Sequence, residues 1–175
     1  VIETSNTTPT NNRNVTNHLS QYVRIRLEEA LWEAELALKF LEQGLHRNAA
    51  GKAFQAWKAL LAAFAAQHRE AIARRYAGAV RDKTGRMRSR ADMVIALMPT
   101  TKMREVASAL EEIYGRALIH LIDVALNLYE FQYSGLDPEG IASRYSNLVD
   151  IEKDIKYLAE KTIEWVKKEV SYQTI

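Results

Sequence analysis

Arg116, His120, Asp123 and Asn127 recur at steps of four, three and four, which puts them on one strip of an α-helix. Each type suits a nucleotide or RNA. A guanidinium forks onto phosphate, and an imidazole exchanges protons near neutral pH. Asp123 is spaced to orient that imidazole, and Asn127 to bond a base or ribose edge. The plainer reading of the same strip is a polar network that fixes helix register, or a solvated flank. The histidines are His18, His46, His68 and His120, and cysteine is absent. That excludes disulfides, thiolate metal sites and a cysteine nucleophile, and it makes a metal or other cofactor unexpected.

Three further groups could carry chemistry. Arg47, Asn48 and Lys52 stand at the expected start of the second helix, where free backbone N–H groups favour an anion. Gly51-Lys52 there is no phosphate loop, since no Ser or Thr follows and no strand precedes it. His68 falls on a core-facing stripe, which predicts a satisfied core histidine, with a place opposite the His120 strip as the alternative. The segment from Arg69 to Arg90 is strongly basic in a chain whose net charge is only +2. It reads as the end of helix two and then a long basic loop, with a turn at Lys83-Thr84-Gly85-Arg86, which could meet phosphates without sequence preference or dock on an acidic partner. Trp32, Trp57 and Trp165 lie near apolar stripes and are expected in the core or at an oligomer contact.

The elements that must position these residues are helical. The 175 residues are 47% hydrophobic and 26% charged with only 7 Gly and 3 Pro, and β-branched alternation is scarce. The first 18 residues are too polar to offset the entropy of ordering and are expected to be a disordered tail. Residues 19–172 then form one domain. A first helix from Leu19 to Gln43 stops at Gly44, and a second, capped by Asn48, runs through Trp57 and Phe64. After the basic connection, Ser89 and Asp92 start a short helix that ends before Pro99. Apolar residues from Met103 to Phe131 keep steps of three and four, and predict one long helix around which the others are arranged. A short helical piece is expected over 138–144, and Asn147 or Asp150 opens the last helix, ending near Tyr172. The fold class is all-α: an up-down four-helix bundle with accessory helices and a long basic connection between helices two and three. No apolar run is long enough to span a membrane, and the absence of a secretory leader makes a cytoplasmic location the expectation.

The run RNAAGKAFQAWKALLAAF at 47–64 resembles the archaeal PaREP family, as do YVRIRLEEA at 22–30, FLEQG at 40–44, YEFQY at 129–133 and DPEG at 137–140. That family is similar to the HEPN superfamily of helical bundles. The resemblance implies a bundle that dimerises, with many relatives pairing with a nucleotidyltransferase-type protein and others acting as metal-independent RNases. In Arg116-Ala117-Leu118-Ile119-His120 the Arg-to-His gap is shorter than in those RNases, and Ala117 stands where they carry a polar residue. The resemblance therefore implies a non-catalytic homodimeric module for a nucleotide, RNA or a nucleotidyltransferase-type partner. Arg116, His120, Asp123 and Asn127 would line its groove, with Arg47 and Lys52 nearby. The alternatives are a metal-independent endoribonuclease using Arg116 and His120, and a purely structural interaction bundle.

Overall fold

The computed structural model describes residues 12–173, with side chains from Gln21 to Ser171. The chain is mostly helical. Its elements are α1 (Asn12–Glu42), α2 (His46–Gln67), α3 (Arg69–Arg75), β1 (Ala79–Arg81), β2 (Met87–Ser89), α4 (Arg90–Leu97), a 3₁₀ turn (Thr100–Lys102), α5 (Met103–Ala109), α6 (Glu111–Tyr114), α7 (Ala117–Ser134) and α8 (Leu148–Gln173). The four longest helices, α1, α2, α7 and α8, pack on one another, and α3 to α6 gather at one side against α2 and α7.

The organising element is α2 rather than the 103–131 segment. Nearly every residue from Ala49 to Ala66 is buried, and only Lys52, Gln55 and Lys58 break the pattern, along one outward line. A helix that is apolar all round has to sit inside the fold, and α2 does so between α1, α7 and α8. Ala30, Ala34 and Ala37 of α1 meet it with no exposed surface. Small residues on both sides let the two backbones approach closely. Three residues join the pair through a closed turn. Leu45 N–H bonds to Phe40 O and Gly44 N–H to Leu41 O, both at 2.9 Å, with Gly44 at φ +71°. This is the helix stop expected at Gly44. It delivers the chain straight into α2 at His46, so the cap is Leu45, without a side-chain bond, and Asn48 is already helical.

Other expectations need correction. Of the disordered tail expected over 1–18, residues 1–11 lie outside the described residues, whereas α1 begins at Asn12, before the expected Leu19. The long helix over 103–131 is broken twice. Leu110 leaves helical geometry at φ −105°, ψ 0°, and Gly115 adopts φ +81°, ψ 171°, a conformation open in practice to glycine alone. The basic connection begins helical as expected, as α3, but its loop is an antiparallel hairpin pairing Ala79 with Ser89 and Arg81 with Met87 around the expected turn, and α4 follows directly. The start of α4 is as expected, with Ser89 Oγ accepting from Asp92 N–H at 3.4 Å. So is that of α8, where Asn147 Oδ1 accepts from Asp150 N–H at 3.0 Å.

Residues 138–144 form no helix. The Asp137 carboxylate instead collects the N–H groups of Glu139, Gly140, Ala142 and Ser143, and the chain wraps around it. Those bonds, led by Ala142, hold the carboxyl below its ordinary value. A lowered folded value means that the stabilisation is complete above the unfolded carboxylate range and is lost as pH falls through the folded value. Asp137→Ala is expected to melt below wild type at neutral pH, with the gap narrowing below about pH 4. Thermal melts of both proteins from about pH 7 down to about pH 2.5 check this. A gap that stays constant with pH would mean that the charge is not what organises the loop.

Candidate functional site

The helical strip exists but is spread over an exposed flank. Arg116 precedes α7, and its guanidinium bonds both carboxylate oxygens of Glu111, at 3.0 and 3.2 Å. Asp123 does not orient His120. Arg104 of α5 takes both its oxygens, Nε at 2.8 Å and Nη2 at 3.2 Å. Further along the helix, Glu130 pairs with Arg144. His120 is exposed, and the side chains of His120 and Asn127 have no hydrogen-bond partner among the described residues. The flank is thus a ladder of exposed ion pairs, each worth about 0–1 kcal/mol. It has neither an oriented imidazole nor a guanidinium free of a carboxylate.

Arg47 and Lys52 are not near the start of that strip. Arg47 donates to the carbonyls of Gln132, at 2.9 Å, and of Tyr133, in the last turn of α7. A cation there satisfies unpaired carbonyls and complements the negative end of the helix dipole. Lys52 pairs with Glu33 at 2.9 Å and lies with Gln132 and Gly51 in a shallow groove. Gln132 is sixteen residues from Arg116, which is about 24 Å at the helical rise. The strip thus runs from before α7 to Asn127, past the middle of the helix, while Arg47 and Lys52 meet its C-terminal end, and the six predicted site residues do not converge on one point.

Convergence occurs elsewhere, at the end of α2. A cleft of about 390 Å³ is lined by Phe64, His68, Ile113, Tyr114, Trp165, Lys168 and Glu169. The helix breaks at His68 (φ −111°, ψ 43°), and the imidazole Nε2 lies 3.1 Å from the Tyr114 hydroxyl. His68 is thus partnered as expected, but by Tyr114 and not across the bundle by His120. Phe64 stacks on Tyr114 at 4.0 Å between ring centres and 17° between planes, and Trp165 lies nearly parallel to Tyr114 at 6.4 Å. Burial first, and then the nearby charge of Glu169, push the Tyr114 hydroxyl up, so it stays protonated throughout the physiological range. Gln67 holds Glu169 by a 2.7 Å bond, while its own carbonyl oxygen is buried without a partner, as is Trp57 Nε1 behind Trp165. The cleft has the size and make-up of a small-molecule site, with apolar and aromatic walls and a few polar groups at fixed places. Lys168 adds a cation at the exposed rim. No group of His, Cys, Asp and Glu among the described residues is arranged to hold a metal.

Sequence reading placed Phe64, His68 and Trp165 on apolar stripes but missed that they meet Tyr114. A continuous helix over 103–131 carries Tyr114 on with its neighbours, whereas the stop at Gly115 sets α6 off from α7 and turns its ring onto Phe64. An isolated glycine inside a helical pattern was the available signal.

The sequence profile of the archaeal PaREP1/PaREP8 family matches residues 25–156, which include the α2 and α6 walls of the cleft and stop short of Trp165, Lys168 and Glu169. No curated protein and no solved structure gives a significant match. No helix among the described residues is long and apolar enough to cross a membrane. A family match over more than half of the chain settles its membership: the chain belongs to the archaeal PaREP1/PaREP8 family.

Proposed function

We propose that the chain is a non-catalytic, HEPN-like binding module, an up-down bundle of α1, α2, α7 and α8 that works as a cytoplasmic homodimer and holds a nucleotide. The aromatic cleft at the end of α2 carries this reading. A base has ring faces at Trp165 and Tyr114 to lie on, Glu169 accepts from an exocyclic amine, and Lys168 meets the phosphate. The exposed flank supports binding over turnover, because an RNase needs a general base positioned at the reacting oxygen, and His120 is not held by Asp123. Trp32, 75% exposed in the middle of α1, supports a contact with a second copy or with a nucleotidyltransferase-type partner.

The test is thermal stability with AMP, GMP, CMP and UMP in turn. A ligand at one hundred times its Kd stabilises by about 2.7 kcal/mol, which is roughly 5–10 °C for a chain of this length. One of the four is expected to give that shift in wild type, and Lys168→Glu, a change at an exposed position, is expected to abolish it. Loss of the shift in Arg116→Ala/His120→Ala but not in Lys168→Glu would move the site to the α7 flank. RNA cleavage in EDTA that disappears in His120→Ala would replace the module by the endoribonuclease.

A further inference from the structure

We propose that the β1–β2 hairpin is a DNA-contacting arm that enters the major groove of duplex DNA. This inference is independent of the nucleotide cleft. No residue from 77 to 90 is buried, so the hairpin lies at the surface, joined to α4 at its base. It is nonetheless tied together by its own hydrogen bonds. Arg90 N–H bonds to Gly78 O at 3.0 Å and closes its base, and the Asp82 carboxylate organises its tip. That carboxylate takes the Thr84 hydroxyl at 2.6 Å, the Thr84 and Arg86 N–H groups at 2.8 and 3.0 Å, and Arg88 Nε at 2.9 Å. The one acidic residue of the hairpin is thus consumed internally.

The cations that remain point outward. Arg81, Lys83, Arg86 and Arg90 have no acidic side chain within ion-pair distance among the described residues, and Arg81 only bridges to Gly85 O at 2.9 Å. Their distribution identifies the partner. In the ladder Arg81 faces Met87 and Val80 faces Arg88, so alternation puts Arg81 on one face of the ribbon and Arg86 on the other, beside the Arg88–Asp82 pair. Lys83 stands at the turn. An acidic protein patch or a membrane presents charge to one face, whereas a groove presents phosphates to both. A two-stranded ribbon fits the B-form major groove, about 12 Å wide and about 8.5 Å deep. Strands of three residues reach about 10 Å, enough to fill that depth. The A-form major groove is too narrow for side chains to read, which favours DNA over duplex RNA.

The experiment is fluorescence anisotropy of the full chain with a labelled DNA duplex of about 20 base pairs over a series of salt concentrations. Arg81→Ala/Lys83→Ala/Arg86→Ala removes three cations and no ion pair. Wild type is expected to bind with steep salt dependence, and the triple variant to bind at least roughly tenfold more weakly at low salt. Its slope of log K against log salt should become shallower by about 0.9 for each phosphate that the variant no longer neutralises. Lys153→Ala/Lys156→Ala/Lys167→Ala removes equal charge from α8 and should bind as wild type does. The proposal is overturned if wild type does not bind, or if the two triple variants are weakened equally. It is also overturned if duplex RNA of the same sequence or anionic lipid vesicles bind as tightly as the DNA through the same three residues.

Discussion

Trp57→Ala is expected to destabilise the chain by about 3–5 kcal/mol, the range for emptying a large buried aromatic site. Trp57 has no exposed surface and lies near the middle of the central helix, with Trp165 at 5.5 Å between ring centres. Alanines make up much of the buried surface of α2 itself, at 49, 50, 53, 56, 59, 62, 63, 65 and 66, and an alanine has no rotamers with which to fill a void. The cost should therefore sit at the upper end, and the melting temperature should fall by roughly 6–20 °C. Trp32→Ala removes a residue of the same type from a position that is 75% exposed and should stay within about 0.5 kcal/mol of wild type. Trp57→Phe keeps most of the packing and also removes an indole N–H buried without a partner, so it should cost clearly less than alanine. Urea denaturation of the three variants checks the series. Equal losses for Trp57→Ala and Trp32→Ala would mean that α2 is not the buried centre of the fold.

The second large effect belongs to the backbone. Gly115→Ala is expected to cost about 1–3 kcal/mol, because φ +81° with ψ 171° is strained for any residue with a Cβ. No heavy atom lies within 4 Å of the place such a Cβ would take, so the penalty is conformational and not a clash. Gly51→Ala is the contrast. Gly51 sits inside α2 with ordinary helical geometry, and its Cβ would press on the amide of Gln132, at 2.6 Å from Nε2. The end of a flexible side chain can yield, and alanine is the better helix former by roughly 0.5–1 kcal/mol, so the two terms largely offset one another. Gly115→Ala should also loosen the His68–Tyr114 pair, since Tyr114 is the residue before it. Denaturant melts of both variants decide the matter. If Gly115→Ala is as stable as wild type, the chain runs through 115 as a single helix and the cleft does not form as described.

That pair of outcomes also shows where the sequence was readable. The stop at Gly44 and the caps at Ser89 and Asn147 were legible because each is a local device, a residue type at a fixed offset from the helix it closes. The break at Gly115 was not, because apolar residues at 106, 110, 113, 117 and 121 keep helical steps straight across it. Periodicity records which side faces the core and is blind to a change of direction between two segments that share a core. The hairpin escaped notice for another reason. Strands of three residues are too short for alternation to register, and its order comes from the Asp82 side chain instead. The candidate strip of Arg116, His120, Asp123 and Asn127 was legible as geometry, but the partner of Asp123 was not. Spacing puts Asp123 beside His120, but Arg104, nineteen residues away in sequence, claims the carboxylate. The cleft needed tertiary structure, since its walls come from α2, α6 and α8, and only the close of α2 brings His68, Tyr114 and Trp165 together.

The most direct measurement of the central claim is tryptophan fluorescence during titration with the nucleotide that gives the largest thermal shift. Trp165 lines the cleft, whereas Trp32 is on α1 outside it. Stacking of a base on Trp165 should quench emission in wild type and equally in Trp32→Phe. In Trp165→Phe the quench should largely vanish while the thermal shift persists, because phenylalanine keeps an aromatic face for the base. A quench that is unchanged in Trp165→Phe and absent in Trp32→Phe would place the nucleotide on the outer face of α1 and contradict the cleft as the binding site.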